Sequence, residues 1–219
     1  MRQRVAEAAR RSARRPEDIQ IVAVSKTHGA DLMQQALRLG ITALGENRVQ
    51  EAREKYPEIE SLLKQKGAQY HLVGHLQTNK AGEAAQLFDL IQSVDSERLA
   101  RELDHRAHEI GKVQRVLIEV NTSKELTKFG VEPSDLMNLA GIVRSLANLR
   151  VEGLMTIGPL TGGSSSARAC FRELRNLWHE LGGPERLPIL SMGMTQDFEL
   201  AIEEGATMIR VGTAIFGMR

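Results

Sequence analysis

The 219-residue chain contains a single cysteine, Cys170, which leaves no partner for an intramolecular disulfide and no multi-thiolate metal site. Aromatic residues make up only 4% of it, so aliphatic side chains must fill the core. Stacking platforms for single-stranded nucleic acid are not expected. It also lacks an excess of either charge. Lys and Arg total 29 against 28 Asp and Glu, and a net charge of +1 gives no overall field to attract nucleic acid or an anionic membrane. No apolar run approaches the ~20 residues of a membrane span, and no signal-peptide core follows the start. What remains is 42% hydrophobic residues, enough for a sizeable core. A cytoplasmic globular chain with no membrane or nucleic-acid partner is expected, folded as one domain over residues 1–219.

Charge is uneven only at the N-terminus, where Arg2, Arg4, Arg10, Arg11, Arg14 and Arg15 face one acid, Glu7. The spacing of Val5, Ala8 and Ala9 predicts a helix with those residues inward and the arginines outward. Pro16, Glu17 and Asp18 end the basic stretch.

Short apolar runs alternate with amphipathic stretches: Ile19–Ser25, Ala43–Gly45, Tyr70–Leu76, Leu90–Val94, Val113–Val120, Val151–Ile157, Leu187–Met192 and Met208–Gly212. Runs apolar on both faces read as parallel strands covered by helices. Leu99, Leu103, Ala107 and Ile110 recur at helical spacing behind Asp95 or Ser96 as N-cap. Gly40, Gly67, Gly111, Gly182 and Gly205 each stand between a helical stretch and a strand run, where a left-handed C-cap is needed. Eight runs in so short a chain favour an α/β fold of the (β/α)8 TIM-barrel type over an open sheet. The patch Gly162–Ser166 reads as a mobile loop after the sixth strand.

In such a barrel the chemistry sits at the C-terminal ends of the strands. Lys26 follows the first run with the parity of Val22 and Val24, which points it to the barrel mouth. Desolvation there would favour the neutral amine that Schiff-base formation needs, although a lysine reaching out to solvent or pairing with Glu46 is an equally good reading of its position. The last two strands end in Ser191-Met192-Gly193-Met194-Thr195 and Arg210-Val211-Gly212-Thr213, glycines beside hydroxyls where barrels bind phosphate. Arg210 lies within an apolar strand and needs a partner, either a carboxylate such as Glu46 or Glu119 or a ligand acceptor. Asn47 and Asn79 follow strand ends and are also plausible helix caps. Gly74 to Lys80 is not a Walker motif, because the second glycine and the hydroxyl residue after the lysine are missing. His71 and His75 have metal-ligand spacing for a helix but fall on a strand, so no metal site is expected.

The segments Ala23–Thr27 (AVSKT), Gly45–Ala52 (GENRVQEA), His71–Lys80 (HLVGHLQTNK), Glu152–Gly158 (EGLMTIG), Leu190–Ile202 (LSMGMTQDFELAI) and Ile209–Gly217 (IRVGTAIFG) strongly resemble the pyridoxal phosphate homeostasis protein family. The resemblance runs from about Val5 to Arg219, and the family is similar to the N-terminal barrel domain of alanine racemase. It implies that Lys26 binds pyridoxal 5′-phosphate as a Schiff base. It further implies that Ser191, Gly193 and Thr195 hold the phosphate together with Gly212 and Thr213. Arg210 would face the pyridine nitrogen, with Asn47 and Met155 lining the ring. Two departures, His28-Gly29 after Thr27 and Arg48 after Asn47, touch none of these ligands.

The implied role is non-catalytic: buffering the cofactor and delivering it to apo-enzymes that depend on it. Low net charge, a small barrel and no helix with an obvious apolar outer face fit a monomer. An added β-domain supplies a tyrosine base in the related racemases. Here the chain reaches only Arg219, and its tyrosines, Tyr56 and Tyr70, are not expected at strand C-terminal ends. The alternatives are a small racemase or lyase using Lys26 as base, with His75 as a possible second group, and a cofactor-free Schiff-base aldolase.

Overall fold

The computed structural model describes residues 1–125 and 127–217. Eight parallel strands close into a barrel in sequence order, with β8 returning to pair with β1. They are β1 Gln20–Val24, β2 Ala43–Glu46, β3 Gln69–Leu72, β4 Leu90–Val94, β5 Gln114–Glu119, β6 Leu149–Met155, β7 Ile189–Ser191 and β8 Met208–Val211. Each overlaps one of the apolar runs, because strands covered on both faces are mostly apolar, although β5 and β6 carry polar residues near their starts, such as Arg115 and Arg150. The surrounding helices are α1 Arg2–Arg11, α2 Ala30–Arg38, α3 Val49–Lys66, α4 Ala81–Leu87, α5 Glu97–Glu109, α6 Leu136–Ser145, α7 Gly163–Glu180, α8 Gly183–Arg186, α9 Phe198–Glu203 and α10 Thr213–Phe216. Gly40, Gly67, Gly111 and Gly205 stand between helix and strand with positive φ, as their placement requires, whereas Gly182, also at positive φ, is followed by the short helix α8 and not by a strand. Ser96 caps α5, its hydroxyl accepting from the Leu99 amide at 3.4 Å. The expected domain boundary at Arg219 lies outside the described residues.

Two apolar cores follow from strand parity. The larger lies between strands and helices. The smaller fills the barrel with Val22, Val24, Ala43, Val73, Leu90, Leu117, Met155 and Met208. Val5, Ala8 and Ala9 bury the inner face of α1, as their spacing requires. Two of its arginines dock on α9, Arg4 pairing with Glu199 at 3.0 Å and Arg11 with Glu203 at 2.7 Å, and after the helix Arg14 donates to the Ala206 carbonyl beyond α9 at 2.7 Å. The basic segment thus fastens one helix over the barrel.

One expectation fails. Gly163–Ser166 is not a loop but the first turn of α7, although Gly162 and Gly163 keep positive φ, +92° and +64°. A glycine and three serines have poor helix propensity, yet the strongly apolar face from Ala167 to Trp178 propagates back through them.

Candidate functional site

Lys26 lies just beyond the last residue of β1, on the rim of the mouth, and is exposed. Of the readings its position allowed, the solvent-facing one holds and the desolvated one does not. The backbone around it is held from behind. Ser25 donates its amide to the Gly45 carbonyl at 2.9 Å and its hydroxyl to Glu46 at 2.7 Å. The Lys55 ammonium on α3 donates to the Ser25 carbonyl at 3.0 Å and pairs with Glu46 at 2.8 Å and Glu51 at 2.7 Å. Glu51 also accepts the amide of Thr27, which sits at φ +65°. Glu46 is thus the partner of Lys55 and not of Lys26. Burial pushes its carboxyl up, against the pull of the hydrogen bonds from Lys55 and Ser25.

After β7 and β8, the two strands that lead round to β1, the chain makes glycine turns. Gly193 has φ +93°, and a Cβ there would stand 2.5 Å from that of Ala201 and 2.9 Å from Phe198 Cα. Only glycine lets the β7 turn close onto α9. The turn is tied by the Met194 amide to Asp197 at 2.6 Å and by the Arg210 amide to the Gly193 carbonyl at 2.9 Å. Thr195 on it is half-buried. After β8, Gly212 is half-buried and the exposed Thr213 opens the short helix α10. The strand pairing of Val22 with Arg210 and Ala23 with Val211 sets this turn against the strand that carries Lys26.

Arg210 is buried inside the barrel, 4% exposed. Of the two partners expected for it, a carboxylate or a ligand acceptor, the carboxylate is not what it touches. Its Nη1 donates to Ser191 Oγ at 2.7 Å and its Nη2 to the Thr156 carbonyl at 2.8 Å. Glu119 acts on it through charge alone, and burial lowers the guanidinium to about 10. Ser191 is brought to Arg210, not to the Gly193 turn: its hydroxyl donates to Gln92 Oε1 at 2.7 Å. Gln92 donates in turn to His71 Nδ1 at 3.1 Å, and His71 Nε2 meets Gln69 Oε1 at 2.9 Å. Gln92 and His71 were not expected in the site's surroundings. The readable signal was a glutamine midway along the apolar run Leu90–Val94.

Met155 ends β6, fully buried on the barrel axis. Beside it in register is Glu119, whose carboxyl burial and the charge of Asp95 push up to about 7, against the pull of Arg210. Asn47 is half-buried after β2. It is not a helix cap: α3 is preceded by Arg48 and carries no side-chain cap. Gly74 packs on the Asn47 backbone so closely that a Cβ would lie 2.3 Å from its carbonyl oxygen.

His75 separates two grooves on this face, of about 670 and 510 Å3, and stacks on Phe129 at 3.6 Å with Asp95 3.5 Å away. Lys26, Arg210 and the two glycine turns line neither groove. His71 is inside the barrel and His75 outside it, so the two do not converge. Tyr70 is buried at the start of β3 between Tyr56 and Phe88, with ring centroids 6.1 and 5.0 Å away, and Tyr56 lies on α3. Neither tyrosine reaches the mouth.

Comparison with known proteins fits this layout. The family model described as alanine racemase, N-terminal domain, matches residues 1–219. The pyridoxal phosphate homeostasis protein of Aquifex aeolicus is 42% identical over 219 residues, 99% of this chain and 94% of that protein. The chain belongs to the pyridoxal phosphate homeostasis protein family. Among solved structures of this family's kind, PipY of Synechococcus elongatus with pyridoxal phosphate bound is 39% identical, with a TM-score of 0.82. The match covers 97% of this chain and all of that one. Alanine racemase of Clostridium difficile shares the fold, at a TM-score of 0.73 and 15% identity, over 99% of this chain and 55% of its own.

Proposed function

We propose that this chain binds pyridoxal 5′-phosphate covalently through the Lys26 amine and serves intracellular homeostasis of the cofactor, buffering it and passing it to apo-enzymes. The carrying observation is the donor set gathered on β1, β7 and β8. It combines a primary amine on the rim, two glycine turns with the hydroxyls of Thr195 and Thr213, and a buried guanidinium beneath them with N–H groups to spare. Amine, anion cradle and ring-nitrogen donor are the groups this cofactor needs, and a PLP-bound relative at 39% identity supports the fit.

When bound, the cofactor supplies a reactive aldehyde and an electron-withdrawing ring. Lys26 holds it, and the Ser25–Thr27 turn fixes where that amine stands. Gly193 and Gly212 admit the phosphate close to backbone amides. Thr195 and Thr213 add hydroxyl donors, with Ser191 acting from behind through Arg210. Asn47 and Met155 flank the ring. Arg210, a guanidinium rather than a carboxylate, would disfavour protonation of the ring nitrogen and so weaken the ring as an electron sink.

The role we infer is carriage without turnover. Both tyrosines are packed against helices far from the mouth, and His75 is engaged with Phe129. The relatives' names speak of homeostasis and not of racemisation. A monomer is supported by exposed large apolar side chains that are scattered, such as Leu39, Val113 and Leu160. No described helix is long and apolar enough to cross a membrane, and the buried Cys170 suits a reducing cytoplasm.

The test is proton NMR of several L-amino acids incubated with the loaded protein in deuterium oxide. Retention of the Cα protons, with transfer of cofactor to an added apo-enzyme, is expected. Deuterium incorporation with appearance of the D-isomer would make the protein a racemase.

A further inference from the structure

A line of polar side chains crosses the barrel interior beneath the mouth, where eight apolar residues otherwise fill the space. Ser191, Gln92 and His71 are fully buried within it. The hydrogens of this line run one way. Arg210 can only donate, so the Ser191 oxygen must accept from it and the single Ser191 hydrogen goes to Gln92 Oε1. The Gln92 amide cannot be turned round. Its oxygen is the acceptor that the Ser191 hydrogen requires, and its nitrogen lies 3.2 Å from Met208 Sδ, which can only accept; that nitrogen also meets His71 Nδ1 at 3.1 Å. His71 Nδ1 must therefore be bare and its hydrogen sit on Nε2, directed to Gln69 Oε1 at 2.9 Å. Burial keeps that ring neutral, pushing it down to about 3. With the Thr156 carbonyl holding Nη2, the line leaves Arg210 in one orientation, with fixed N–H groups unspent.

We propose that Gln92 and His71 are positioning residues for the cofactor. They act through Ser191 to set which Arg210 N–H groups face the ring nitrogen. The proposal rests on the reading that this mouth takes pyridoxal phosphate. A purely structural line would fill space equally well with the amide facing either way. One in which each atom fixes the next transmits the orientation of His71 through Gln92 and Ser191 to the guanidinium.

The test uses the full chain and pyridoxal phosphate. Wild type and Gln92→Met are titrated at one pH while the visible band is followed. Borohydride reduction with peptide mapping then checks loading on Lys26. Gln92→Met should load on Lys26 to the same stoichiometry, with a dissociation constant raised about fivefold, as for the loss of one hydrogen bond between neutral groups. Its visible band should also be displaced, which a merely structural glutamine would not cause. An unchanged band and affinity, with wild type loading normally, overturns the proposal and leaves the cofactor reading standing. A wild type that does not load overturns both. Nitrogen-15 NMR of wild type needs no variant, and so decides the matter even where Gln92→Met fails to fold. His71 should be the neutral Nε2–H tautomer, and its Nδ1 resonance should move on loading. The opposite tautomer, or a resonance that stays still, overturns the proposal.

Discussion

Lys55 Nζ lies 2.8 Å from Glu46 Oε1 and 3.0 Å from the carbonyl oxygen of Ser25, so a helix lysine ties the carboxylate ending β2 to the residue before Lys26. The second Glu46 oxygen is buried without a hydrogen-bond partner, which leaves the carboxylate dependent on this one cation. Lys55→Ala would strand it. A broken buried pair costs about 3–5 kcal/mol. Glu46 is already raised in the folded state, and without Lys55 it would rise further, so the loss should deepen as pH climbs through the carboxylate range. Chemical denaturation at pH 5 and pH 8 checks this. An equal, small loss at both would show that Lys55 is not what holds Glu46.

Gly193→Ala should damage both fold and binding. The new methyl group meets Ala201 at 2.5 Å while the backbone stays at φ +93°, a conformation costing a non-glycine residue about 1–3 kcal/mol. Differential scanning calorimetry should show a lowered Tm, and a phosphate-dependent loss of pyridoxal phosphate affinity should exceed any loss for pyridoxal. Equal losses for both ligands would remove the β7 turn from the phosphate site.

Glu119 makes stability fall with rising pH. Its carboxyl titrates near 7 in the folded protein, far above its unfolded value, so the folded state holds an extra proton between about pH 4.5 and 7. That contribution is fully present at low pH and lost as pH rises through 7. Glu119→Gln cannot ionise and should be more stable than wild type at pH 8, by up to about 3 kcal/mol, with little gain at pH 5. A gain independent of pH would contradict the assignment.

The fold was legible because its signals are local. Apolar runs gave all eight strands, and glycines such as Gly40 and Gly205 gave the joints. Single residues at strand ends were also legible: Lys26, Gly193, Gly212 and Thr213 stand at the rim where strand order puts them. Partnerships were not. The sequence flagged Arg210 as needing a partner and offered carboxylates, whereas the structure uses the hydroxyl of Ser191 and the carbonyl of Thr156, 54 residues away. Glu46 seemed available to Lys26 until α3 brought in Lys55. Such contacts depend on register across the closed barrel, which no spacing along the chain records. The serine-rich start of α7 misled because local propensity yielded to the apolar face that follows it.

The central claim, that Lys26 carries the cofactor over an anion cradle built separately from it, is tested most directly by one comparison. Wild type and Lys26→Ala are incubated with pyridoxal 5′-phosphate, reduced with borohydride and mapped by mass spectrometry, with free binding followed by absorbance. Wild type should turn yellow, lose that colour on reduction and carry one pyridoxyl group on Lys26, while Lys26→Ala carries none and still binds the cofactor weakly and reversibly. A wild type that stays colourless, or a Lys26→Ala variant labelled at another lysine such as Lys80, would contradict it.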